Sequence, residues 1–509
     1  MLDNWVKLKS GSDVRGDASD RPDHPAVLTP QIASATAYAF ALWLAGRENT
    51  TTDKLKIAVG RDSRISGPEL AQAVIHGLTA ADSDVLDCGL CTTPAMFMTT
   101  VEPQTQCDGA VMVTASHHPW YRNGLKFMTR EGGLEGADIE ALLKSAQQVS
   151  LPQRLVTPVN FLEIYAGRLK NMVRQRLNTS VAMPLLGLHV VVDAGNGAGG
   201  FYARLLSELG ADVSGSQFLD PDGRFPNHIP NPEEPEAMAA LSKAVLDSGA
   251  DLGVIFDADC DRAAIVDQNG REINRNRLIA LIAAILLEEN PGATFVTDSV
   301  TSSGLAQFIT EWGGTHYRFK RGYRNVIDEA IRLNAEKIDC PLAIETSGHA
   351  AMRENYFLDD GMYLVTRLIC EAMRRKREGL TLSSLIDELR EPVESVEIRM
   401  NILAEDFKTA GQLVIDKVLN HTLENPGWHL APDNREGVRI SFNLDDGIDN
   451  GWFLLRLSVH DPVMPLNAES DVKGGVVQML RELYALLKDD PQLDLDPLKK
   501  AIENKSSPS

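Results

Sequence analysis

Short apolar runs rich in β-branched residues alternate with longer helical patterns up to about residue 394. Leu55 to Gly60, Asp84 to Asp87, Ala110 to Val113, Leu188 to Val192, Leu252 to Phe256, Ala293 to Val296 and Pro341 to Ile344 read as strands. Helices are expected over Pro30 to Leu44, from Ser66-Gly67-Pro68-Glu69 with its early proline, and over Arg277 to Glu289. Strands alternating with helices imply βαβ units and largely parallel sheets, with chemistry gathered at strand C-termini. The rhythm restarts near Leu188 and again near Ala293, which suggests three related α/β domains without a clean sequence repeat.

The texture changes from about Val396. Ser395 to Met400, Gly437 to Phe442 and Trp452 to Leu457 read as strands of an antiparallel sheet, with helices near Asp406–Leu419 and Lys473–Lys488 over one face. The expected class is therefore α/β: three related domains with mixed, largely parallel sheets, and a closing α+β domain. Boundaries are placed at 1–156, 157–270, 271–394 and 395–509, with a frayed tail from Lys505 to Ser509.

Composition narrows the partners. A net charge of −21 disfavours nucleic acid and acidic membranes, both of which need basic surface, but leaves room for a small anion in a local basic pocket. The longest apolar run, Leu278 to Leu287, is too short to span a bilayer, and the first residues lack a signal-peptide core, so a cytoplasmic location is expected (an organelle if the chain is a processed form). Six cysteines form no disulfide framework for this length. Cys88 and Cys91 make a C-x-x-C at a strand end, without the second pair that a zinc site wants.

Candidate chemistry sits where strands end. Ser116 follows the Ala110–Val113 strand at a strand-to-loop corner, fixed yet open to attack, with His117, His118 and Lys126 near in sequence; an ordinary turn is the plain alternative. Asp257, Asp259 and Asp261 alternate just past the Leu252–Phe256 strand. Three like charges so placed are unfavourable without a cation, and oxygen ligands suit Mg²⁺. Glu345, Thr346, Ser347 and His349 follow the Pro341–Ile344 strand and suit sugar hydroxyls, while Lys320 and Arg321 form a cationic turn suited to phosphate. Asp222 to Glu233 is a rigid, proline-rich loop. The glycine turn from Gly195 to Gly200 matches a dinucleotide fingerprint imperfectly and reads as chain reversal.

Together these motifs resemble the α-D-phosphohexomutase family. Thr114 to Pro119 is similar to its T-A-S-H-N-P loop, Asp257 to Arg262 to its D-G-D-G-D-R loop, Glu345 to His349 to its E-x-S-G-H loop, and Lys9 to Gly16 to its opening D-x-R-G loop. All four stand in family order over nearly the whole chain. The Asp222–Glu233 loop and Asp359-Asp360-Gly361 resemble the phosphomannomutase/phosphoglucomutase members most. The resemblance implies domains arranged around a central cleft and a phosphoryl group carried by Ser116. Mg²⁺ would be held by Asp257, Asp259, Asp261 and that phosphate. Arg15 and Arg262 would steady the phosphate, with Lys126 as proton shuttle and His117 and His349 alongside. Glu345, Ser347 and His349 would grip the sugar, and Lys320, Arg321, Arg456, Ser458 and His460 its distal phosphate. The implied reaction interconverts hexose 1- and 6-phosphates of mannose or glucose through a hexose 1,6-bisphosphate, in a monomer or homodimer. One loop departs from the family: R-x-S-G-T-E-P is here Arg456-Leu457-Ser458-Val459-His460-Asp461-Pro462, which touches substrate recognition rather than the serine or metal. Rival readings are a phosphoglucosamine mutase, a non-catalytic sugar-phosphate binder, and a phosphatase. For the last, the D-x-D-x-[TV] pattern fails at Asp261.

Overall fold

The computed structural model describes residues 4–22, 24–149, 157–458 and 461–506. Contacts group the chain into two compact units, one of residues 1–278 with 347–384 and one of residues 279–346 with 385–509.

In the first unit, three strands foreseen from their apolar runs pair in parallel: Gly109–Val113 beside Lys56–Arg61, and Lys56–Arg61 beside Asp84–Leu90. The sheet then reverses direction. Arg122–Thr129 pairs antiparallel with Gly109–Val113 on one side and with Asp13–Asp17 on the other. This register sets Lys126 opposite both Met112 and Asp13, and Arg15 opposite Gly124. Alternation along the strands buries Ile57, Val59, Val111 and Phe127 against helices Pro30–Arg47, Gly67–Ala80 and Gly136–Ala146. The first two helices approach so closely that a Cβ on Gly77 would fall 1.9 Å from the Ser34 carbonyl oxygen.

A second sheet of this unit runs Glu272–Ile273, Ala263–Asp267, Leu252–Phe256, Val190–Asp193, with only the last pair parallel. The Leu252–Phe256 strand thus turns straight back into Ala263–Asp267, and Asp257 to Arg262 form the hairpin connection. The glycine turn packs against this connection. Ala198 N–H donates to the Ala258 carbonyl at 2.9 Å, and a Cβ on Gly197 would lie 2.7 Å from Ala258. The glycines serve close approach of two loops, an extra demand beyond chain reversal. Below the turn, buried Asp193 accepts from His228 Nε2 at 3.1 Å while His228 Nδ1 lies 2.9 Å from the Ile229 carbonyl. With acceptors at both nitrogens the ring is a two-proton donor. Burial opposes its charge, but the hydrogen bond and charge of Asp193 outweigh this and raise His228 above its ordinary 6.5. Its stabilising contribution is present below the unfolded value and lost as pH rises through the raised folded one. The melting-temperature deficit of His228→Gln should therefore be largest near pH 6 and shrink by pH 9; a deficit that grows with pH would refute the charged pair.

In the second unit, Thr294–Thr297 lies between Thr315–Arg318 and Leu342–Ile344, all parallel. The closing sheet is antiparallel throughout, in the order Glu394–Asn401, Val463–Ser470, Gly451–Leu455, Val438–Phe442, His429–Leu430. Helices Phe407–Glu424 and Gly475–Leu487 share a core with Ile398, Met400, Ile440, Phe453 and Leu466. The Asp496–Ser506 helix takes up the start of the tail read as frayed, and residues 507–509 lie outside the described ones. Among the described residues no helix is long and apolar enough to cross a membrane.

Candidate active site

The Gly109–Val113 strand delivers Ser116 into a left-handed backbone conformation, φ 54°, with 1% of the residue exposed. Its amide donates to Thr114 Oγ1 at 2.9 Å. Its hydroxyl donates to Asp257 Oδ2 at 2.8 Å and lies 3.3 Å from His117 Nδ1. The two neighbouring imidazoles stack, centroids 4.9 Å apart. Burial first, then Arg262, pushes His117 far down, and burial with Arg15 pushes His118 down to about 3. Burial and the neighbouring arginines thus favour the neutral form of both rings, which suits them to hydrogen bonding beside Ser116 rather than to holding a proton.

The hairpin connection brings Asp257, Asp259 and Asp261 together, with one carboxylate oxygen from each within 4.8 Å of the others. Asp259 Oδ2 accepts from Thr93 Oγ1 at 2.7 Å and from Lys126 Nζ at 3.0 Å; Asp261 Oδ2 accepts from Lys126 Nζ at 2.5 Å. Burial opposes the Lys126 charge, yet Asp259 and Asp261 outweigh it and hold this ammonium well above its usual range. Asp257 is pushed up by burial and by repulsion from Asp261 and Asp259, whereas Asp261, despite burial, is held far down, first of all by Lys126. Asp259 Oδ1 and Asp261 Oδ1 are buried without a hydrogen-bond partner. Two orphaned carboxylate oxygens beside a third carboxylate fit a hard divalent cation with an all-oxygen shell, which is the chemistry of Mg²⁺. Among the described residues this is the one such group of three.

Arg262 closes the hairpin. Its amide donates to Asp257 Oδ1 at 3.2 Å and its Nε to His349 Nε2 at 3.2 Å. His349 therefore accepts at Nε2 and carries its proton on Nδ1, 2.9 Å from Ser347 Oγ. Arg15 forms an ion pair with Asp13, its Nη2 donating to Oδ2 at 2.7 Å. Thus Ser116, Lys126, His117, the three aspartates, Arg262, His349 and Ser347 are linked side chain to side chain, while Arg15 is held by Asp13.

The remaining candidates lie in the second unit. Glu345 ends the Leu342–Ile344 strand and its Oε1 accepts from the Gly322 amide at 2.6 Å. Beside it, Thr346 Oγ1 donates to Asp298 Oδ2 at 2.7 Å, and burial pushes Asp298 up to about 7 against the pull of Arg321. Lys320 is exposed; the Arg321 amide donates to Glu436 Oε2 at 3.1 Å. Arg456 is 7% exposed, its guanidinium lowered by burial and supported by Glu436. The Ser458 amide donates to the Val463 carbonyl at 3.0 Å. Val459 and His460 lie outside the described residues. The C-x-x-C thiols are buried, Cys91 pushed up to about 12 by burial, which keeps it a neutral thiol and disfavours metal or redox duty.

Residues that sequence reasoning gave no role include Thr93, Asp298, Glu436, and the Asp62–Arg64 pair beneath Ser116. Of these, Asp62, Arg64 and Asp298 carried a signal, as charges just past predicted strands.

A serine aimed at a metal-capable aspartate cluster in an α/β scaffold suits phosphoryl transfer. Residues 7–150, 164–270 and 274–393 match phosphoglucomutase/phosphomannomutase alpha/beta/alpha domains I, II and III. The phosphomannomutase/phosphoglucomutase of Pseudomonas syringae pv. tomato is 31% identical, over 92% of this chain and 95% of its own length. The phosphoglucomutase of Neisseria gonorrhoeae is 30% identical, over 86% of this chain and 90% of its own. The solved structure of a phosphoglucomutase/phosphomannomutase family protein from Burkholderia thailandensis superposes with a TM-score of 0.79 at 27% identity, covering 96% of this chain and 99% of that one. The chain belongs to the α-D-phosphohexomutase family, and it is a phosphotransferase of the isomerase type.

Proposed function

We propose that the protein interconverts hexose 1-phosphate and hexose 6-phosphate, with mannose or glucose as the sugar, through a phosphoserine at Ser116 and a hexose 1,6-bisphosphate. The observation that carries this reading is the Ser116 hydroxyl, 2.8 Å from Asp257 within the aspartate cluster. Asp257, Asp259 and Asp261, with a phosphate on Ser116, would hold Mg²⁺. Such an ion neutralises charge on the phosphoryl oxygens. The protein's own groups do the rest. A sugar hydroxyl oxygen bonds to phosphorus as the bond from phosphorus to Ser116 Oγ breaks. The Lys126 ammonium gives a proton to Ser116 Oγ and regains one from the attacking hydroxyl, so charge and protons balance. His117, kept neutral, is within reach of the same oxygen. Arg15 and Arg262 steady the phosphate. Glu345, Ser347 and His349 recognise sugar hydroxyls, and Lys320, Arg321, Arg456, Ser458 and His460 take the distal phosphate. His460 is one of these last residues and the Val459 replacement adjoins it in sequence, so sugar preference is where this chain has room to differ from its relatives.

The direct test is mass analysis of the Ser116 peptide before and after incubation with Mg²⁺ and excess hexose monophosphate or bisphosphate. A phosphoryl group that leaves with one and returns with the other is the expected result. A peptide that stays unmodified with every sugar tried would overturn the cycle.

A further inference from the structure

Arg64 is 1% exposed and is among the largest fully buried side chains of the protein. Nη1 donates to the carbonyls of Pro119 at 3.0 Å and Arg122 at 2.9 Å, and Nη2 donates to the carbonyl of Ser116. Nε donates to Asp62 Oδ2 at 3.0 Å. That same oxygen accepts from Thr114 Oγ1 at 2.7 Å, and Thr114 Oγ1 in turn accepts from the Ser116 amide at 2.9 Å. The path is closed: from Ser116 N–H through Thr114 and the Asp62–Arg64 pair back to Ser116 C=O. Both peptide groups flanking the serine are thereby tied to one buried ion pair.

Such a pair is a costly way to gain stability, since both charges are stripped of water and each opposes its own burial. Its planar fork is instead well suited to fixing orientation, because it meets several carbonyls at set angles. What it fixes is unusual: a non-glycine residue at φ 54°, a region that L-residues avoid. Water is kept from the pair by the proline-rich loop, with the Phe225 ring 5.4 Å from the guanidinium and Gly223 so close that a Cβ there would lie 2.7 Å from the Arg64 backbone.

We propose that Asp62 and Arg64 are positioning residues of the transfer reaction: the pair holds Ser116 in its left-handed conformation and so presents Oγ to Asp257 and the incoming phosphoryl group. The proposal rests on Ser116 being the phosphoryl carrier. It concerns residues that act through the backbone of Ser116 and form no hydrogen bond with Asp257, Asp259 or Asp261.

The test compares Arg64→Lys, which keeps the charge but loses the fork, with Asp62→Asn, which keeps the shape but sets an amide against two donors. Steady-state kinetics, thermal melting and the crystal structure of each variant are the readouts. A misplaced serine should lower kcat by roughly 100-fold, the scale of a 1 Å displacement at a reacting atom. KM for the sugar phosphate should move less than about three-fold, since binding groups are untouched. The variant crystal should show Ser116 released from positive φ. If Arg64→Lys does not fold, Asp62→Asn decides. Folded variants with unchanged kcat, or a lower Tm with Ser116 still left-handed, would overturn the proposal. If the unaltered protein shows no transfer dependent on Ser116, the mutase reading fails instead, and the Ser116 φ in the variant crystals still judges the positioning role.

Discussion

Ser116→Ala should reduce mutase turnover by roughly 10⁴-fold or more, the scale on which deleting a covalent nucleophile acts. The threonine hydroxyls beside it are already committed. Thr114 Oγ1 is committed to Asp62 and to the Ser116 amide. Thr93 Oγ1 is held by Asp259. The fold should persist, because the change removes only the hydroxyl's contacts with Asp257 and His117, of which the bond to the carboxylate is worth about 1.5–3 kcal/mol, and leaves the Asp62–Arg64 cradle intact. The measurement is coupled turnover of glucose and mannose phosphates together with a melting curve. Activity within ten-fold of the unaltered protein would mean that phosphoryl transfer does not pass through Ser116.

Asp259→Asn should weaken Mg²⁺ binding at least about 100-fold, beyond the 10–100-fold typical of residues that merely support ligands. Asparagine keeps the shape but removes the charge and presents an amide where carboxylate oxygens face a cation. In this protein the loss is double. Asp259 Oδ1 is the orphaned oxygen available to a metal, while Oδ2 anchors Thr93 and Lys126. A neutral residue frees Lys126 to pair with Asp261 alone, which draws the ammonium away from its shared position. Calorimetric titration with Mg²⁺ and with Mn²⁺, done without sugar, separates metal affinity from catalysis. Equal affinity in variant and parent would remove Asp259 from the metal shell.

The site was legible wherever chemistry follows a strand in the sequence. Ser116, Asp257 to Arg262 and Glu345 each stand just past an apolar run, and the structure places each at a strand end. The meeting of Ser116 with Asp257 was not readable from the chain alone. It depends on the Gly109–Val113 sheet and the Leu252–Phe256 hairpin packing in one unit, a contact 141 positions long in sequence. It entered the reading only through the family resemblance. Arg64 was missed for a related reason: its work is on carbonyl oxygens, which leave no trace in a side-chain pattern. The glycine turn at 195–200, which matches a nucleotide-binding turn only imperfectly, reads from sequence as chain reversal; that its missing side chains also make room for Ala258 is visible only in the structure. In the closing domain, alternation announced three of the five antiparallel strands, while Val463–Ser470 and His429–Leu430 went unread and the Asp496–Ser506 helix is too polar to stand out.

The left-handed backbone at Ser116 also limits which hydroxyl can occupy the position. Threonine offers the same oxygen, but its branched Cβ is poorly tolerated at positive φ. The loop therefore selects serine over its nearest chemical equivalent on conformational grounds, before any question of nucleophilicity arises.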